Sequence, residues 1–276
     1  MNLWLSVIII IAAVVVAIAA ILLVRRRAPD GGFFNDSDRA AGVFGVLATA
    51  FSVLLAFVIF LGFTAYDSAK SGAEQEALTV AQQFETAEFL PSASSLELEG
   101  DLVCYGRAVV SDEWPLLARA GRSATVDAWA VLLFHTLEGV QPRTASEQAA
   151  YQKWLDQTSD RESGRRARLH AEDGVISAPL WFILILAAIL VLGYMLFFAD
   201  RGERRKVQAL LIGTVTAMVV TSLLVVNFLN NPYASGAGAL EPTSMTRTLE
   251  TLDGATALLH PGAPPPCDER GRPREL

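Results

Sequence analysis

Four uncharged apolar runs, roughly residues 3–24, 41–63, 178–199 and 207–229, constrain this chain more than anything else in it. Each has the ~20 apolar residues that a helix needs to cross a ~30 Å hydrocarbon core. A single charge at a helix centre costs about 2.5–3.5 kcal/mol on insertion scales. Four clean windows therefore predict four transmembrane helices in a multi-pass cell-membrane protein, with lipid as its first partner. The third run begins over a hundred residues after the second ends. The predicted organisation follows from that gap. Residues 1–63 hold spans one and two, and 64–177 form a soluble insert. Residues 178–229 hold spans three and four. Residues 230–276 form a tail, with a short amphipathic helix and then a disordered, proline-rich end.

The fold class expected is all-α, because no stretch alternates with period two long enough to be a strand. Asp36, Ser37 and Asp38 supply caps for the second span, which is expected to begin near Arg39. No proline interrupts residues 64–89, and Ala69, Ala73, Ala77, Val80 and Phe84 recur at helical spacing. One helix of about 50 residues, ~75 Å long, is expected to end before Pro91. Asp67, Glu74, Glu76, Glu85 and Glu88 lie on that extension and read either as its solvated face or, in an oligomer, as rings along an ion path. Within the insert, residues 94–112 form a helix that Trp114-Pro115 breaks. Ser123 caps a second helix, and Thr144 with Glu147 matches a capping box opening a third, expected to reach about Glu172. In the tail, Pro242 opens a helix with Met245, Leu249 and Leu252 on one side, suited to the membrane interface or to the insert.

The net charge of −7 arises mainly in the insert, where Asp and Glu outnumber Lys and Arg. That balance argues against nucleic acid, whose binders neutralise phosphates with basic patches. The first apolar run lacks a basic flank before it and is too long for a cleavable signal. Arg25, Arg26, Arg27 and Arg39 follow the first span, and Arg201, Arg204, Arg205 and Lys206 follow the third. Short basic loops stay in the cytoplasm, which places the N-terminus, the insert and the tail outside it. Arg161, Arg165, Arg166 and Arg168, just before the third span, pull the other way. Cys104 and Cys267 fall on one side in this arrangement. They read either as a disulfide in an oxidising compartment or as two unrelated thiols.

No catalytic constellation is present, and neither a metal set nor a cofactor motif, so no enzyme is expected. His135, His170 and His260 are scattered. Ala41, Gly45, Ala48 and Ser52 make a small-residue stripe that permits close helix approach in a bilayer. Phe57 and Phe60 on the second span are candidates for a pore constriction or for plain packing.

The stretch from Gly42 through Gly45, Phe51 and Ala56 leads into Leu61-Gly62-Phe63, Tyr66-Asp67 and Glu74 to Ala77. Asn231-Pro232-Tyr233, with Gly236 and Gly238, follows the fourth span. Together these resemble a bacterial family of four-span membrane proteins of unknown function labelled bestrophin-like domain. By that likeness Tyr66 and Glu76 are motif positions after the second span, and Asn231 and Pro232 belong to the turn. Leu61-Gly62-Phe63 and Tyr66-Asp67 are also similar to elements of bestrophins proper. Ser68-Ala69-Lys70 stands where those continue with an Arg-Trp-Trp type of sequence. Bestrophins are pentameric ion channels with four spans and a helical cytoplasmic domain between spans two and three. The resemblance thus implies a homo-oligomeric ion channel. The residues alone leave open a non-conducting envelope protein whose insert binds a partner or senses a condition.

Overall fold

A computed structural model describes residues 3–170 and 174–274. Among the described residues the regular structure is helical: α1 (Leu3–Arg25), α2 (Ser37–Ala87), α3 (Ser92–Ala108), a π turn (Val109–Glu113), α4 (Trp114–Leu117), α5 (Ala124–Glu138), α6 (Ala145–Leu169), α7 (Ala178–Leu196), α8 (Arg205–Asn230) and α9 (Thr243–Leu259). The chain divides into two compact units. An apolar unit comprises Met1–Thr64 and Gly174–Gly238, and a polar unit comprises Ala65–Asp173 and Ala239–Leu276. The single 51-residue helix α2 contributes to both.

In the apolar unit, α1, α7, α8 and the first part of α2 are each long and apolar enough to cross a membrane. α1 is hydrophobic all round and buries only Ile21, the pattern of a helix solvated by hydrocarbon. Phe51, Leu55 and Val58 of α2 join Leu184, Ala188 and Val191 of α7 and Val219 and Val226 of α8 in one core. Gly62 faces Leu229, where an added Cβ would come within 3.0 Å of the leucine Cβ. Thr214 and Ser222 on the fourth span donate back to Leu210 and Met218 carbonyls, so their hydroxyls are satisfied on their own helix. α7 stops at Leu196, short of the expected 199. Phe197–Ala199 form a turn, and Phe34, Phe44, Tyr194 and Phe198 gather there as an aromatic cluster. The side-chain oxygen of Asn230, at the end of α8, accepts from Val175 and Ile176 N–H at 2.9 and 2.8 Å, fastening the approach to α7.

In the polar unit, Val80, Phe84, Leu98, Leu102, Leu133, Leu137, Trp154, Met245, Leu249 and Leu252 form the core. The caps lie where local chemistry puts them: Ser123 accepts from Thr125 and Val126 N–H, and Thr144 with Glu147 completes a reciprocal box. α9 seats its apolar side in this core rather than leaving it for a membrane interface. Trp114-Pro115 does not break the chain. α3 passes through the π turn into α4, with Pro115 in the first turn where its missing N–H does no harm. The last described helical residue of α6 is Leu169, and the expected end near Glu172 lies outside the described residues.

The tail corrects its sequence reading. Residues 261–274 were expected to be disordered, yet Cys267 is fully buried and disulfide-bonded to Cys104 of α3. Trp129 Nε1 donates to Gly271 O at 2.6 Å. Gly271 has φ +71° and lies against Ala108 N and Cys104 O, an approach that only a residue without a Cβ permits. Proline and glycine there set turns against a packed helix instead of loosening the chain.

Candidate functional site

α2 carries the candidate site on one face and its anchorage on the other. On the buried face, Phe51, Leu55, Val58, Gly62, Ala69, Glu76, Val80, Gln83 and Ala87 follow helical spacing over the last two thirds of the helix. On the opposite face, Val46, Val53, Phe60, Phe63, Asp67, Glu74, Leu78 and Glu85 are exposed. Phe57 and Phe60 are 58% and 61% exposed. Gly45 and Ser52 are exposed as well. Nothing lies within 4 Å of where a Cβ on Gly45 would stand, and Ser52 Oγ donates to Ala48 O at 2.8 Å. The small-residue stripe is therefore open in the single chain.

Behind the polar half of α2 lies a buried charge network. Glu76 is 1% exposed, which corrects its reading as part of a solvated face. Its Oε2 accepts from Arg168 Nε at 2.6 Å, and its Oε1 accepts from Arg168 Nη2 at 3.0 Å and Tyr105 OH at 2.6 Å. Arg168 Nη2 also donates to Glu113 Oε2 at 2.6 Å. Arg165 donates to Glu113 Oε1 at 2.5 Å and pairs with Asp127 at 2.7 Å. Arg161 donates to Gln83 Oε1 at 3.0 Å, and its guanidinium lies 5.0 Å from the Tyr105 ring centre. The π turn (Val109–Glu113) aims Glu113 inward; such turns often adjust a helix at a special site.

Electrostatics explain why these charges persist in the dark of a helix bundle. Burial works to raise the Glu113 carboxyl, but the Arg165 hydrogen bond and the Arg168 charge outweigh it and hold it below the usual range. Burial works against the Arg168 cation as well, and Glu76 and Glu113 overcompensate, raising its basicity. Burial, then the Glu76 charge, push the Tyr105 hydroxyl well up, so it stays protonated and donates. Arg161 is lowered by burial despite Tyr105 and Glu76. Through these bonds the network acts as a lock on α2. Among the described residues no cluster has the makings of a metal site.

The other motif positions lie apart from this lock. Tyr66 is half-buried and lines a cleft of about 230 Å³ with Lys70, Glu74, Trp114 and Leu240. Asn231 closes α8, its Nδ2 donating to Asn227 O at 2.9 Å, and Pro232 is buried behind it. Sequence reading grouped Arg161, Arg165 and Arg168 only as a charge cluster bearing on orientation and missed their pairing with Glu76 and Glu113. Their spacing of four and three on one helix was the available signal.

Residues 9–245 match the family described as Bestrophin-like domain. The chain belongs to that family. No match was found among curated proteins. Solved structures share the fold of this Bestrophin-like chain. One is a variant of a bacterial bestrophin homologue from Klebsiella pneumoniae, with a TM-score of 0.70 at 13% identity, covering 89% of this chain and 99% of that one. Another is the same homologue phased on zinc, with a TM-score of 0.67 at 13% identity, covering 94% and 100%. At such identity the likeness is one of fold.

Proposed function

We propose that this Bestrophin-like chain is one subunit of a homo-oligomeric ion channel in the cell membrane, with α2 from each copy lining the path. The carrying observation is the two-faced character of α2. Its inner face is buried from Phe51 to Ala87, while the outer face stays exposed from Val46 to Glu85. In a ring of copies Phe57 and Phe60 would narrow the apolar stretch, and Asp67 and Glu74 would follow on the same face. Gly45 and Ser52 would let neighbouring helices approach closely.

Purified protein in liposomes should pass ions above the level of empty vesicles, and Phe57→Ala/Phe60→Ala should change single-channel conductance. No flux across a range of pH and calcium would sink the channel reading and leave a non-conducting envelope protein. The proposal also keeps the polar unit outside the cytoplasm, opposite to bestrophins. Two observations support that side. The Cys104–Cys267 disulfide suits an oxidising compartment. Arg165 and Arg168, two of the basic residues that pull inward by the loop-charge rule, are paired with Glu113 and Glu76. In intact cells, an impermeant thiol reagent should label Cys104 and Cys267 only after reduction. Labelling that requires lysis would put the unit inside.

A further inference from the structure

A cleft of about 490 Å³ opens in the apolar unit where α1 ends and α8 begins, lined by Leu22, Arg25, Arg26, Arg201 and Arg205. Four of its five lining residues are arginines, and no acid is among them. Among the described residues none of these arginines is paired with a carboxylate. Two are held in place by neutral groups instead. Arg25 Nη2 donates to Arg201 O at 2.7 Å and Nη1 to Gln208 Oε1 at 3.2 Å. Arg201 reaches back to the Arg25 and Arg26 carbonyls. Asp200, the acid next to Arg201, turns Oδ1 to the Gly31 and Gly202 N–H groups.

Carbonyls orient a guanidinium without cancelling its charge. The cleft therefore concentrates positive charge with its geometry already set. Planar guanidinium groups suit phosphate oxygens, which they bind two at a time. One wall is apolar: Leu22 lines the cleft, and Leu23, Leu210 and Leu211 are exposed on the adjoining helices. The floor beneath is tight. Ile21 is buried with Ile212, and Gly213 brings α8 up to Val14 and Ile18. A phosphate group fits the arginines, and acyl chains fit the exposed leucines beside them. Basic pockets between membrane helices are suited to anionic lipid in this way.

We propose that this cleft is a binding site for the phosphate headgroup of an anionic phospholipid, with Arg26 and Arg205 as its free-standing donors and Arg25 and Arg201 as its fixed ones. A soluble phosphate shares the headgroup chemistry, so the test separates the two sources. Full-length protein in detergent is titrated with phosphatidylglycerol, phosphatidylcholine or inorganic phosphate, and bound species are counted by native mass spectrometry. Phosphatidylglycerol adducts are expected and phosphatidylcholine adducts are not. Arg26→Gln/Arg205→Gln should weaken phosphatidylglycerol binding on the order of thirtyfold. Both positions are exposed, so an unchanged thermal midpoint serves as the folding control. Arg27→Gln/Arg204→Gln, which removes equal charge outside the cleft, should leave binding within about twofold. Equal loss in both pairs, or equal retention of phosphatidylcholine, would overturn the site. Displacement of the lipid by an equal concentration of inorganic phosphate would overturn the lipid as its source.

Discussion

Arg168 is wholly buried and bridges two carboxylates, Glu76 of α2 and Glu113 of the π turn. Removing one member of such a set strands the others without water, at a cost of about 3–5 kcal/mol. Arg168→Met should therefore lower the stability of the polar unit by that amount in chemical denaturation. Glu76→Gln should cost less, because the amide oxygen still accepts from Tyr105 and Arg168 keeps Glu113. Equal losses would mean that the bridge is not the shared element. Acid and base act on different residues of this unit. The Asp101 carboxyl is raised to about 7 by burial and by Glu97, against a hydrogen bond from Thr136. Its contribution is complete below the unfolded value near 3.8 and is lost as pH rises through 7. Glu113, held low, contributes above its unfolded value and loses that contribution as pH falls through the lower folded one. The thermal midpoint should fall between pH 5 and pH 8 in the native chain, and Asp101→Asn should flatten that slope. An unchanged slope in the variant would remove Asp101 as its source.

At the scale of elements, α2 and α6 meet backbone to backbone through two glycines. A Cβ on Gly164 would stand 2.7 Å from Glu76 N, and one on Gly72 would stand 2.7 Å from Arg168 N. That closeness is what sets Arg168 beside Glu76. Gly164→Ala should destabilise the unit by about 1–3 kcal/mol or more, since backbone has no rotamer by which to yield. A denaturation midpoint unmoved by the change would show that the two helices sit further apart. The spans, the length of α2 and the caps at Ser123 and Thr144 were legible in the sequence, because each depends on residues within a few turns of one another. The Glu76–Arg168 pair was not. Its members lie 92 residues apart, and a glutamate on an amphipathic helix carries no local mark of burial. Nor was the π turn, since one extra residue in a helical stretch leaves composition unchanged. The ordered tail was hidden for a third reason: proline and glycine mark turns and loose chain alike.

For the molecule as a whole, the disulfide spans 163 residues of sequence. On the chain-entropy account, a link closing so long a loop stabilises by up to about 5 kcal/mol. Cys104→Ser/Cys267→Ser should therefore lower the unfolding midpoint of the polar unit, and dithiothreitol should reproduce that shift in the native chain but not in the variant. A shift under dithiothreitol in both would point to another target. The same unit is discontinuous in sequence: α9 and the segment bearing Cys267 and Gly271 follow α7 and α8. During synthesis, then, residues 65–170 must wait half-assembled while two more spans are threaded into the bilayer. Only when residues 239–274 emerge does the core receive α9 and its fastening. A ribosome that stalls before that point leaves an inserted but unfinished protein, with the apolar seat of Met245, Leu249 and Leu252 open to chaperones and proteases.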